Sequence, residues 1–216
     1  MTYKAIIFDL DGTLLNTLDD LGNAFNRVLK KNGLPTHPID KYRYFIGEGA
    51  AVLAERALPE ELRKENLIQK YLNEFLADYS ENYFVHTKPY DGIHALLEEL
   101  NKRVIKTAVF SNKPQEATDQ CVKRFFQTHR FQAVFGMNNS IPRKPNPAGA
   151  LKISELLRIS VSEFIFLGDT AIDMATALNA DMMPIGAAWG FRSERELIDA
   201  GAQKVIKRPL ELLEFL

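Results

Sequence analysis

The chain has 216 residues, long for one small domain and sufficient for a core domain with a modest insertion. Hydrophobic residues make up 46% and charged residues 25%, so there is ample apolar material for a core. A formal net charge of −1 argues against a dedicated nucleic-acid surface and against attraction to anionic membranes.

The opening stretch MTYKAIIFDLDG has neither the long apolar segment nor the small-residue cleavage site of a signal peptide. No apolar run approaches the ~20 residues that cross a bilayer. The single cysteine, Cys121, has no partner for an internal disulfide, which fits a reducing compartment. A soluble, cytoplasmic protein is the expectation. Cys121 falls in a helical pattern away from any histidine motif and reads as a buried structural thiol. The four histidines (His37, His86, His94 and His129) are scattered without metal-ligand spacing.

In chain order, KAIIF (residues 4–8) is a continuous β-favouring run, as expected for a strand covered on both faces. From about Asn16 to Tyr83 strand signals vanish and helical patterns follow one another. Leu18, Leu21, Phe25, Val28 and Leu29 form an apolar stripe closed by Asn32 and Gly33. Ile68, Tyr71, Leu72, Phe75, Leu76 and Tyr79 form a second stripe at helical spacing. Both stripes read as core packing within a separate helical domain, residues 16–83. Inserted after the first strand, it is expected to sit over the sheet edge where that strand ends.

Strand and helix then alternate. Ile93, Leu96, Leu97 and Leu100 mark a helix, and another runs from Pro147 to near Leu157. β-favouring runs recur at residues 104–110, 131–135, 163–167 and 183–189. The alternation predicts an α/β fold, a doubly wound parallel sheet with helices on both faces, built from residues 1–15 and 84–216.

Ligands of open parallel sheets bind beyond the carboxyl ends of the strands. After the first strand come Asp9 and Asp11; after the second, Ser111, Asn112 and Lys113. FIFLG is followed by Asp169 and, four residues on, Asp173. The loop IPRKPNP carries Lys144 between prolines, with Pro145 biasing it toward an extended conformation. Each feature alone is ordinary: aspartates cap helices and turns, and lysines are usually solvated. Their combination at successive strand ends points to one site. Clustered carboxylates need a compensating cation, and an all-oxygen site favours Mg²⁺. A hydroxyl, an amide and an ammonium converging there suit the oxygens of a phosphoryl group.

DLDGTLLNT, FSNK, RKPNP and LGDTAIDM, in this order and at these strand ends, resemble the motifs of the haloacid dehalogenase superfamily of phosphotransferases. The resemblance covers nearly the whole chain, and the inserted helices resemble that family's cap. Within the superfamily the chain looks most like phosphoglycolate phosphatases, through FIGEGAAVLAERAL and WGFRS. The resemblance implies Asp9 as nucleophile toward phosphorus and Asp11 as general acid and then base. It implies Ser111 and Lys144 as holders of the phosphoryl group, helped by Asn112. Mg²⁺ would be bound by the Asp9 carboxylate, the Asp11 backbone carbonyl and Asp169, with Asp173 behind them orienting Lys144 or metal-bound water. The cap turn Gly47–Glu48–Gly49 is the candidate specificity element, whose plainer reading is a helix-start turn. The expected partner is a small phosphate ester, 2-phosphoglycolate first.

A sugar-phosphate mutase carries the same core motifs and differs only in its products. A phosphorylation-dependent signalling receiver also clusters aspartates, a hydroxyl and a lysine. Receivers are shorter, however, lack a helical insertion and place the phosphoacceptor on a later strand. Trp189 and Gly190 read equally as a loop near the site or as packing.

Overall fold

The computed structural model describes residues 3–216; Met1 and Thr2, part of the expected core domain, lie outside the described residues. The strands and α-helices, in chain order, are β1 (Ala5–Phe8), β2 (Leu15–Asn16), α1 (Leu18–Lys31), α2 (Ala50–Ala57), α3 (Glu65–Glu81) and β3 (Lys88–Pro89). There follow α4 (Ile93–Lys102), β4 (Lys106–Pro114), α5 (Gln115–Phe125), β5 (Ala133–Met137) and α6 (Ala148–Leu157). The chain closes with β6 (Phe164–Gly168), α7 (Ala171–Asn179), β7 (Met183–Ala187), α8 (Glu194–Asp199) and β8 (Lys204–Ile206). It falls into two compact units, one of Met1–Leu15 with Pro89–Leu216 and one of Asn16–Lys88.

The larger unit is a six-stranded sheet of order β5-β4-β1-β6-β7-β8, parallel at every pairing. This is the doubly wound α/β arrangement the alternating pattern predicts. Every residue of β1 and β6 is buried, which is why both read as unbroken apolar runs. Right-handed crossovers place α4 and α5 on one face and α6, α7 and α8 on the other. On the latter face Ile7, Phe110, Phe164 and Phe166 pack with Ala150, Ile153 and Ala177 in one core. Successive crossovers run outward from β1 in one direction through β4 and β5, then in the other through β6, β7 and β8. The direction of winding therefore changes between β1 and β6, and a crevice opens there beyond the strand ends.

The smaller unit is helical. Tyr71, Phe75 and Tyr79 are buried along one face of α3, and Phe25 of α1 meets Phe75 with ring centroids 5.4 Å apart. Residues 84–88, which the sequence pattern assigns to the core, cluster with these helices instead. The cause is the buried Asp20 carboxylate, which accepts from the His86 N–H (2.9 Å), the Thr87 N–H (2.8 Å) and the Thr87 hydroxyl (2.7 Å). No helix among the described residues is long and apolar enough to cross a membrane.

Candidate active site

β1 ends at Phe8, and the Asp9 N–H donates to the Leu167 carbonyl at 2.9 Å. That bond holds the first residue beyond β1 against β6, at the change of winding. The chain then turns: the Leu14 and Leu15 N–H groups both donate to the Leu10 carbonyl, and Gly12 has φ +90°. A Cβ at Gly12 would lie 2.2 Å from Asp169 Oδ2, so position and conformation both demand glycine. The two carboxylates before this turn take different partners.

Asp9 Oδ1 accepts from Lys144 Nζ at 2.6 Å. The same ammonium donates to Asp173 Oδ1 at 2.6 Å and lies 5.9 Å from the Phe110 ring centroid and 5.8 Å from that of Phe166. Asp173 is fixed by the start of α7, where Thr170 and Asp173 form a capping box. The Thr170 N–H (3.0 Å) and hydroxyl (2.7 Å) both donate to Asp173 Oδ2. Asp169 directly follows β6. Its Oδ1 accepts from the Thr13 hydroxyl at 3.1 Å, and its Oδ2 from the Phe191 N–H at 2.8 Å. Asp9, Asp169 and Asp173 are buried and offer carboxylate oxygens within 4.8 Å of one another.

Asp11 faces an ammonium of its own, Lys113 Nζ, at 3.0 and 3.3 Å. In the sequence Lys113 follows Ser111 and Asn112, and nothing local to it signals this pairing. Ser111, Asn112 and Lys113 lie within β4 rather than after it, where the ladder to β5 shifts register between Phe110 and Pro114. Ser111 is buried, and its oxygen accepts from the Lys113 N–H at 3.2 Å. The Asn112 carboxamide pairs with the Lys144 backbone in both directions. It accepts from the Lys144 N–H at 2.7 Å and donates to the Lys144 carbonyl at 3.2 Å. The following Lys144–Pro145 bond is cis. Pro147, expected to open α6, instead precedes its first helical residue.

Electrostatics at the cluster follow from burial. Desolvation raises the Asp9 carboxyl to about 7; Lys144 opposes the rise, and Asp173 and Asp11 add to it. Asp169 is raised well above the ordinary carboxylate range, by burial first and then by Asp9 and Asp173. Burial alone would lower the Lys144 ammonium, but Asp173 and Asp9 together hold it above its usual value. Cys121 is fully buried, and burial pushes its thiol up to about 11, the mark of an inert packing group.

Gly47, Glu48 and Gly49 belong to the helical unit and form the loop leading into α2. Both glycines have positive φ, 117° and 94°, and Glu48 pairs with Arg56 of α2. Trp189, left open between two readings, lies in the larger unit, where its indole Nε1 donates to the Thr13 carbonyl at 2.9 Å.

Carboxylates and ammonium groups gathered at the carboxyl ends of β1, β4 and β6 mark the chemistry of one family. The family model for haloacid dehalogenase-like hydrolases matches residues 6–187, and the chain belongs to that family. It is 32% identical over 188 residues to a phosphoglycolate phosphatase of Aquifex aeolicus, spanning 87% of this chain and 86% of the relative. A phosphoglycolate phosphatase of Psychrobacter arcticus is 30% identical over 204 residues, spanning 91% and 88%. The crystal structure of a Lactobacillus delbrueckii protein matches with a TM-score of 0.94 at 30% identity, covering 99% of this chain and 98% of that one. The chain is a phosphoric monoester hydrolase.

Proposed function

We propose that the protein hydrolyses small organic phosphate monoesters, 2-phosphoglycolate foremost, with Mg²⁺ at the carboxylate cluster and the phosphoryl group carried transiently on Asp9. The observation that carries this reading is the Lys144 ammonium, 2.6 Å from both Asp9 and Asp173 at the change of winding. In this reading it meets the oxygens of a phosphoryl group arriving at Asp9. The name shared by the two curated relatives supports the substrate.

The donor set fits Mg²⁺. Asp9, Asp169 and Asp173 present oxygen only and are buried together against one ammonium, so full ionisation leaves two excess negative charges. Carboxylates this far desolvated resist ionisation without a further cation, as the raised Asp9 and Asp169 values reflect. Asp9 and Asp169 would hold the ion, together with the Asp11 carbonyl, while Asp173 is engaged by Lys144 and Thr170. When bound, Mg²⁺ supplies the positive charge that lets a phosphate dianion approach a carboxylate.

The residues divide the work as follows. Asp9 attacks phosphorus while the bond from phosphorus to the leaving oxygen breaks, giving phosphoaspartate and an alcohol. Asp11 gives its proton to that oxygen, then takes one from the water that attacks the phosphoaspartate, releasing phosphate and restoring Asp9. Ser111 and Lys144 hold the phosphoryl oxygens. By the family resemblance the helical unit is the cap, and its Gly47–Glu48–Gly49 loop is the candidate specificity element. A cytoplasmic, reducing setting fits the lone buried Cys121.

The test is a panel of phosphorylated metabolites with and without Mg²⁺, with products identified. Inorganic phosphate should be released fastest from 2-phosphoglycolate, cease with chelator and return with Mg²⁺. Full turnover in chelator would remove the metal, and an isomeric phosphate ester as product would make the protein a mutase.

A further inference from the structure

We propose that Trp189 is a positioning residue for the metal-binding carboxylate Asp169, acting through Thr13. The proposal rests on the reading that Asp169 holds Mg²⁺, and it gives the WGF stretch after β7 a task that packing alone does not.

The chain of bonds is continuous. The Trp189 indole N–H donates to the Thr13 carbonyl at 2.9 Å, and the Thr13 hydroxyl donates to Asp169 Oδ1 at 3.1 Å. Two residues beyond the indole, the Phe191 N–H donates to Asp169 Oδ2 at 2.8 Å. One three-residue loop therefore reaches both carboxylate oxygens, one directly and one through Thr13. Thr13 and Asp169 are both wholly buried, so no solvent competes for these bonds. Gly190 permits the approach: a Cβ there would lie 2.3 Å from the Asp169 Cβ and 2.4 Å from the Gly12 carbonyl oxygen. Thr13 sits in the turn that follows the nucleophile, so the indole also ties that turn to the loop after β7. Outer partners of this kind fix the orientation of a ligating carboxylate, and their loss lowers metal affinity or activity.

Trp189 is the only tryptophan in the sequence, so tryptophan emission, excited selectively over the seven tyrosines, reports on this loop alone. Adding Mg²⁺ to ion-free wild-type protein should change its emission, saturating along the same isotherm that calorimetry gives. Trp189→Phe keeps the ring and loses the N–H. Its Mg²⁺ affinity by calorimetry should fall about fivefold, the equivalent of the ~1 kcal/mol of one hydrogen bond. At saturating Mg²⁺, where concentration makes up for weaker binding, its kcat should fall by less than its Mg²⁺ affinity does. Thr13→Val should weaken Mg²⁺ binding at least as much, and Thr13→Ser, which keeps the hydroxyl, should not. Because the indole acts through Thr13, the Trp189→Phe, Thr13→Val double variant should bind no more weakly than Thr13→Val. The Thr13 pair and the wild-type fluorescence titration stand even if Trp189→Phe fails to fold. Unchanged Mg²⁺ affinity in folded Trp189→Phe, equal affinity of the Val and Ser variants, or losses that multiply in the double variant would each overturn the proposal. Wild-type protein that takes up no Mg²⁺ would overturn the metal reading together with it.

Discussion

Asp9 and Asp11 stand one residue apart, yet each has its own lysine: Lys144 for the first and Lys113 for the second. The sequence motif suggests two carboxylates facing the same way and repelling each other. That repulsion persists, since Asp11 helps to raise the Asp9 carboxyl, but each carboxylate also faces an ammonium, somewhat more deeply buried at Asp9 than at Asp11. Asn112 was read as a helper in phosphate binding, but its carboxamide spans the N–H and carbonyl of Lys144 and so holds that lysine's backbone. Asn112→Ala leaves two buried backbone groups unpaired, costing roughly 1–3 kcal/mol each. A small displacement of Lys144 then lowers kcat on p-nitrophenyl phosphate by about 100-fold at saturating Mg²⁺. Asn112→Asp keeps the acceptor but sets an oxygen against the Lys144 carbonyl, so it should rescue nothing. Steady-state kinetics checks both, and activity of Asn112→Ala within twofold of wild type would refute the role. None of this pairing was legible in the sequence, because a bond between positions 32 residues apart leaves no local pattern.

The elements that read clearly were those whose burial imposes a period. β1 and β6 are covered on both faces and give unbroken apolar runs, while α1 and α3 carry their stripes at helical spacing. What was missed had a local reason in each case. β4 continues through Ser111, Asn112 and Lys113 to Pro114, residue types that elsewhere end strands, and its ladder to β5 shifts register over that stretch. β8 spans only three residues, and β2 and β3 two each, too short for a β period to register. The boundary of the helical unit was set at residue 83, where the helical pattern stops. The Asp20 carboxylate extends the unit to Lys88 by binding His86 and Thr87, a constraint visible only in three dimensions.

For the molecule as a whole, the proposed Mg²⁺ site at the carboxylate cluster couples ion binding to stability. In ion-free protein the Asp9 carboxyl titrates at about 7, against an ordinary 3.8, and Asp169 is raised as well. Between those values the folded chain retains protons that the unfolded chain has released, so stability falls as pH rises through the window. In chelator, the melting temperature of wild type relative to Asp9→Asn should therefore drop as pH rises from about 4 to about 7. Mg²⁺ should restore it at the higher pH. A relative melting temperature that climbs with pH would contradict the assignment. In the proposed mechanism Asp9 carries the phosphoryl group and Asp11 governs its release. Asp11→Asn retains the nucleophile but has no base to activate water, and the leaving group of p-nitrophenyl phosphate needs little protonation. Mixing that variant with this ester and Mg²⁺, quenching in acid and weighing the intact protein should reveal one added phosphoryl group, mapped to Asp9. The same treatment of Asp9→Asn should add nothing; an adduct there, or normal turnover by Asp11→Asn, would contradict the account.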